Sequence, residues 1–538
     1  MAIQRGPWIL LALTIMIVVV VRVRLREMPL ERDEGEYAYA GQLVLQGVPP
    51  YKLAYNMKLP GTYAAYALIM AAFGQTASGI HVGLLLVNVG AIVLVFLLGR
   101  RLLDPVCGAV AALTYGLLAM SAAFLGTAAH ATHFVTLFAL GGLLLLLRAG
   151  ENGKWPAIFC AGVLLGLAFV MKQPGITFGL FALVFVAARR FTAQRFALRA
   201  ALAEFAPLAG GIALPYLAAC AWAWWTGVLP QFFFWTIRYA REYASAVPWS
   251  QLRDSLHDVG GGTFVPSLLF WILSGAGGVM MWWERRLAGK QFFLLGLLVA
   301  GIATSATGFY FRPHYFIPLL PALGLLCGVA VSRSIYLVRH EKSVELFVAL
   351  AVLLCFVCAL GATLISQGET WFVSTPAKAS RVIYGSTLFA ESPGVAQYIK
   401  DHSSPGARIA VLGSEPQICF YAGRRSATGH IYTYGLMARH QFALQMQEEM
   451  IREIEQARPE FVVYVNDDFS WLEEPRSERR IFDWWKDYWT KHYELIKVVN
   501  IAGRELDDLR PPDKSANLAP DVRRNLMIFQ RKATAPSS

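Results

Sequence analysis

Charge is what this sequence has least of. Only 16% of its 538 residues are Asp, Glu, Lys or Arg, where soluble chains average about 25%. A mean hydropathy of +0.46 points the same way, and together they exclude an ordinary soluble enzyme. Cysteine is also scarce. Six of the seven (Cys107, Cys160, Cys220, Cys327, Cys355 and Cys358) fall in apolar runs, and only Cys419 lies in the polar C-terminal part. A disulfide framework there is excluded. Cys355 and Cys358 form C-x-x-C inside an unbroken apolar run, where a redox or zinc pair would lack solvent and further ligands. They read as helix packing. No P-loop or dinucleotide fingerprint occurs, so no nucleotide site is expected. The formal charge of +12 comes without a basic-aromatic module, which excludes nucleic acid as a partner. No 20–50-residue repeat and no low-complexity linker are evident.

What fills the chain is apolar runs of membrane length. About eleven spans are expected, near 8–22, 80–98, 107–125, 131–147, 156–171, 174–188, 205–225, 265–283, 291–309, 315–331 and 344–365. The first has no A-x-A-like site before Arg22 and reads as a retained helix. The segment 61–74 is too short to span easily. The chain thus reads as a polytopic α-helical membrane protein over 1–366, with a first outer loop at about 23–79. A soluble domain covers 367–538. In that domain 392–402 and 436–456 read as helices, and RIAVL (408–412), FVVYV (461–465) and LIKVV (495–499) as strands. This alternation predicts a small α/β unit with a largely parallel sheet.

Orientation follows from the cations. With the N-terminus in the cytoplasm, the inner loops carry Arg100 and Arg101; Arg148 and Lys154; Arg189, Arg190, Arg195 and Arg199; Arg285, Arg286 and Lys290; Arg333, Arg339 and Lys342. The short outer turns hold only Lys172 and Arg312. That is the positive-inside pattern, and an odd number of spans puts the C-terminal domain outside. Arg22, Arg24 and Arg26, just after the first span, are the discordant group.

The outer face then gathers residues far apart in sequence. The first loop brings Asp33, Glu34, Glu36 and Lys58; later turns bring His130, His133, Lys172, Arg312 and His314. Three cations and a carboxylate at a lipid boundary suit a lipid-linked phosphate with an acid/base partner. Plainer readings stand beside this one. Asp33 could cap a helix with Glu36 completing a D-x-x-E box, and Glu34 could sit in a first helical turn to favour the dipole. Lys58 and Lys172 could snorkel to headgroups. His130 and His133 share a helix face, as a hydrogen-bonded patch or, with a carboxylate, a divalent-metal site. The stripe Phe232, Phe233, Phe234, Trp235 and Tyr239 reads as an interfacial belt, and Gly413–Gln417 and Asn466–Asp468 follow strands, where either a ligand or turn chemistry explains them.

The acidic D-E loop after the first span, the K-x-P motif that closes it and the late run RPHYFIPLLPAL together resemble the GT-C glycosyltransferases. The branch is that of the protein O-mannosyltransferases and the lipid A aminoarabinose transferase. The resemblance implies a GT-C-like membrane domain, a polyprenyl-phosphate sugar donor, a hydroxyl acceptor on lipid, polysaccharide or protein, reaction at the outer face of the bacterial cytoplasmic membrane, and inversion. It makes Asp33 the general base, with Glu34 as the second catalytic candidate. Lys58 and Arg312 are the donor-phosphate contacts, and Lys172 matches more loosely. Where relatives carry an acid near the second outer turn, this chain has His130 and His133. Glu36, His130, His133 and His314 are therefore candidate acceptor or metal contacts, and no cofactor is required. The rival reading is a transporter or flippase for a lipid-linked sugar. It would need midplane charges and an inverted repeat, and neither is seen.

Overall fold

The structure, a computed structural model, describes residues 5–152, 154–191, 198–340, 344–385, 387–500 and 524–533. Arg195 and Lys342 lie outside them. Helices α1 (Gly6–Arg24), α2 (Arg32–Leu45), α3 (Gly61–Phe73), α4 (Ala77–Leu102), α5 (Pro105–Leu118), α6 (Ala131–Asn152), α7 (Trp155–Met171), α8 (Ile176–Phe191) and α9 (Leu198–Trp225) come first. Later apolar helices are Leu268–Met280, Gln291–Ala306, Leu320–His340 and Val344–Gly368. Their starts are written locally. Asp104 accepts a hydrogen bond from the Cys107 amide at 2.8 Å, Thr76 accepts from Gly79 at 3.0 Å, and Pro opens α5 where a missing N–H costs nothing.

Among the described residues nine helical segments are long and apolar enough to cross a membrane. The expected spans at 107–125 and 156–171 are shorter helices, α5 of 14 residues and α7 of 17. At 1.5 Å per residue α5 falls short of a bilayer core of about 30 Å. The segment 313–340 is almost wholly buried, while Val344–Val373 exposes most of its apolar side chains, Phe347, Leu354 and Ile365 among them. The late RPHYFIPLLPAL run is thus the core of the bundle, and the last helix belongs to its lipid-facing wall.

The discordant arginines have structural partners. Arg22 donates to the carbonyls of Gly126 at 2.9 Å and Ala119 at 3.3 Å. Arg24 donates to those of Val373 at 2.8 Å and Ser374 at 2.9 Å. Both satisfy chain ends that would otherwise be unpaired near the membrane.

The C-terminal unit is a five-stranded sheet in the order β2-β1-β3-β5-β4, where β1 is Arg408–Leu412, β2 Arg425–Ser426, β3 Phe461–Asn466, β4 Tyr493–Asn500 and β5 Asn525–Arg531. The α/β class stands, but the sheet is mixed. β1 pairs parallel with β2 and β3, whereas β5 runs antiparallel to both β3 and β4. β5 inserts between β3 and β4, so the two do not pair directly. The helix expected over 436–456 is two pieces, Tyr434–Met437 and Ala443–Ala457. His440 holds the break, with its Nε2 2.7 Å from the Gly435 carbonyl and its Nδ1 accepting from the Phe442 amide at 3.1 Å.

Candidate active site

The site is built from the acidic start of α2. Glu31 is the N-cap: its side chain accepts from the Glu34 amide at 2.9 Å, and Glu34 accepts from the Glu31 amide at 3.2 Å. This capping box, two residues earlier than D-x-x-E, frees Asp33 and Glu36 from capping. Glu34 is committed elsewhere. Its carboxylate meets His81 Nε2 at 3.0 Å and the Ala129 amide at 2.6 Å, and it lines neither of the cavities described below. Asp33 and Glu36, three residues apart, share a face. Both receive Lys58 Nζ, at 2.9 and 2.7 Å, and the Tyr63 hydroxyl donates to Glu36 at 2.6 Å.

Lys58 is held in place by the turn at the end of α7. Gln173 donates to the Met57 carbonyl and Thr62 to that of Met171. Gly61 permits this approach, since a Cβ there would lie 2.5 Å from the Val170 carbonyl oxygen. The same turn carries Lys172, whose ammonium sits 3.6 Å from the centre of the Tyr315 ring. Arg312, in the loop before the buried 313–340 segment, lies between the rings of Tyr310 and Tyr434, 5.9 and 5.7 Å from their centres. Asp33, Lys58, Lys172 and Arg312 all face one cavity, which the belt residues Trp235 and Tyr239 also line, together with Tyr243.

Burial and charge oppose each other here. Burial disfavours the Asp33 carboxylate, yet Lys58, helped by His314 and His130, holds it well below the usual carboxylate range. Burial likewise resists the Lys58 ammonium, and Asp33 and Glu36 push its affinity for the proton well up. For Glu36 burial wins and its pKa rises. Among the described residues Lys172 has no carboxylate at hydrogen-bond distance. Burial lowers it to about 7, against the attraction of Asp33 and with the repulsion of Lys58 and Arg312.

His130 and His314 stack with ring centres 4.0 Å apart, and both approach Asp33 Oδ2, at 3.9 and 3.7 Å. Asp33, His130 and His314 are the residues that could hold a divalent cation, with ligand atoms all within 4.8 Å of one another. His133 is not in that group; it points into the bundle with both ring nitrogens buried.

The architecture has counterparts among solved proteins. Over 98% of both chains it superposes on ArnT from Cupriavidus metallidurans bound to undecaprenyl phosphate, with a TM-score of 0.52 and 16% identity. The fold is that of the GT-C glycosyltransferases. The archaeal oligosaccharyltransferase AglB from Archaeoglobus fulgidus, in complex with an inhibitory peptide and dolichol phosphate, matches at TM-score 0.50 and 13% identity, over 85% of this chain and 70% of that one. The mycobacterial arabinofuranosyltransferase AftD matches at TM-score 0.50 and 14% identity, over 99% of this chain and 40% of that one. In sequence, residues 58–222 match the model of the dolichyl-phosphate-mannose-protein mannosyltransferases. That span includes Lys58, His130 and Lys172 but neither Asp33 nor Arg312. No curated protein matches the chain.

On this GT-C scaffold the C-terminal domain is part of the site. Arg32, beside Asp33, pairs with Glu415 at 2.9 Å, donates to the Ser414 carbonyl at 2.7 Å and also contacts the Tyr434 hydroxyl. Ser470 donates to Glu415 and accepts from the Ser414 amide. The two loops at the strand ends, 413–417 and 466–468 with the turn after it, therefore receive an arginine of the membrane part. Tyr432 donates to Asp33 Oδ1 at 3.3 Å. Sequence reasoning passed over Arg32, Tyr432 and Tyr434. Arg32 lies inside the acidic cluster, and both tyrosines lie in the G-H-I-Y-T-Y motif, but nothing local ties them to Asp33.

Proposed function

We propose that this chain transfers a sugar from a polyprenyl phosphate to a hydroxyl acceptor at the outer face of the bacterial cytoplasmic membrane, with inversion. The observation that carries this reading is the set of three cations around Asp33. Of these only Lys58 is ion-paired among the described residues, which leaves Lys172 and Arg312 facing a shared cavity without a counter-ion. A phosphate supplies that missing charge. The aromatic belt on the same cavity suits the prenyl chain. Lys58, Lys172 and Arg312 are assigned to the donor phosphate, Asp33 to the base, and Glu36 to fixing Lys58. Glu34 takes no chemical role, its carboxylate being committed to His81 and the helix start.

In the reaction the acceptor oxygen forms a bond to C1 as the bond from C1 to the phosphate oxygen breaks. The electron pair leaves with the lipid phosphate, and the acceptor proton passes to Asp33. One displacement inverts the anomeric carbon. The cations act where charge grows on the leaving oxygen. Residues 1–366 would then be the membrane catalytic domain with the N-terminus inside, and 367–538 the outer domain.

The test incubates the purified protein with radiolabelled polyprenyl-phosphate sugars extracted from membranes and follows glycosidic product and free polyprenyl phosphate. Product of inverted configuration is expected. Movement of the intact lipid-linked sugar across proteoliposomes without any transfer would instead establish the transporter reading.

A further inference from the structure

A second cavity shares Asp33, Arg312, His314, Tyr432 and Tyr434 with the first and is otherwise lined by different residues. We infer that it binds the acceptor, and that the acceptor is a water-borne saccharide; this rests on the glycosyltransferase reading above. The first support is how the Asp33 carboxylate is divided. Oδ1 is taken by Lys58 and Tyr432, and Lys58 lines only the first cavity. Oδ2 makes no hydrogen bond among the described residues. It faces His314, which lines both cavities, and His130, which lines only the second. The free oxygen of the base thus borders the second chamber and is open to an incoming hydroxyl there.

The second support is the wall. Tyr384, Thr387, Phe389 and Phe469 come from the C-terminal part of the chain, beyond the last membrane-length helix, and Phe469 is half exposed at the rim. A lipid acceptor would call for a chamber walled by the lipid-facing helices, as the first one partly is. The third is chemistry. Aromatic faces alternate with the guanidinium groups of Arg32 and Arg312 and the carboxylate of Glu31. The rings match the C–H faces of a pyranose or furanose, and the ionic groups match its hydroxyls. None of the lining residues lies in a strand, so an extended peptide would find no sheet edge to pair with.

The test uses the full chain in lipid nanodiscs with the donor fraction it turns over. Three acceptor probes are compared: water-soluble oligosaccharides released from the cell envelope by mild acid, Ser/Thr-containing peptides, and vesicles of extracted membrane lipid. Transfer to the free oligosaccharides is expected. Phe469→Ala should raise the acceptor KM about tenfold without changing the donor KM, and Tyr243→Ala, on the first cavity, should do the reverse. Transfer only to peptide or only to membrane lipid, or an unchanged acceptor KM in Phe469→Ala, would overturn the inference. Donor hydrolysis by the wild type without transfer to free saccharide overturns this inference alone. If the donor is not turned over at all, the glycosyltransferase reading falls and this inference falls with it.

Discussion

Replacing Asp33 by Asn removes one charge from a site where that charge has a neighbour ready to compensate. Lys58 remains 2.7 Å from Glu36, so the ammonium keeps a carboxylate and the loop keeps its anchor. The amide is nearly isosteric and can still accept from Tyr432. The variant should therefore fold, with a thermal midpoint close to wild type, and its donor KM should change little because Lys172 and Arg312 are untouched. What it loses is the proton acceptor. Removal of a positioned general base costs about 10²- to 10⁴-fold in rate, or ~3–5 kcal/mol of transition-state stabilisation. The wild-type pH profile carries the same signature. Because Lys58 depresses the Asp33 pKa, the carboxylate stays charged above that value, and activity should fall only when the pH drops below the ordinary carboxylate range. Its contribution to stability has the same sign, being lost as the pH falls through the depressed value. Single-turnover transfer, donor titration and thermal unfolding on wild type and variant side by side give the readouts. A folded Asp33→Asn protein that retains more than about a tenth of the wild-type rate would refute the assignment and move the base to another group.

Lys172 should set an alkaline limb: with its pKa lowered to about 7, kcat/KM for donor should fall as the pH rises through that region, and Lys172→Arg, which cannot lose its proton, should flatten the profile. Glu415→Ala leaves Arg32 buried and unpaired, a loss of about 3–5 kcal/mol, visible as a lower thermal midpoint and faster proteolytic release of the C-terminal domain; adding Arg32→Met should recover much of it. Gly35→Ala places a Cβ 2.7 Å from the Gln417 backbone, so despite better helix propensity it should destabilise the domain contact by about 1–3 kcal/mol in the same proteolysis assay.

The membrane part was legible because its signals are local. Apolar runs of span length, charges that bound them and a capping pattern are read within a window of twenty residues, and each expected span contains a helix, although 107–125 and 156–171 hold shorter ones. The acidic loop was legible as a cluster, but not which acid does what. D-x-x-E and E-x-x-E are both present in E-R-D-E-G-E, and only the Glu31–Glu34 box shows that the helix starts two residues early. With that start Asp33 and Glu36 face Lys58, and Glu34 faces His81. In the C-terminal domain β5 was missed although N-L-M-I-F-Q-R carries an apolar core, because its pairing with β3 is set some sixty residues away and the alternation read before it favoured a parallel sheet.

The part of the site that no window could contain is the contact between Arg32 and Glu415, 383 residues apart. From the sequence, the G-S-E-P-Q turn is equally well a ligand loop or plain turn chemistry, and both descriptions turn out to be incomplete: the group it binds is a side chain of the same protein. This explains why a buried arginine stands next to the proposed base. A carboxylate poised to take a proton must be fixed to a fraction of an ångström, and within the membrane part the first loop is held by α1, by the His81 and Ala129 contacts of Glu34 and by the α7 turn. The Arg32 pair, the close approach at Gly35 and the Tyr432 hydroxyl add a further anchor from the opposite side. The C-terminal domain is therefore best understood as the other half of the wall around the candidate site, and its contacts fix Asp33 where it borders both cavities.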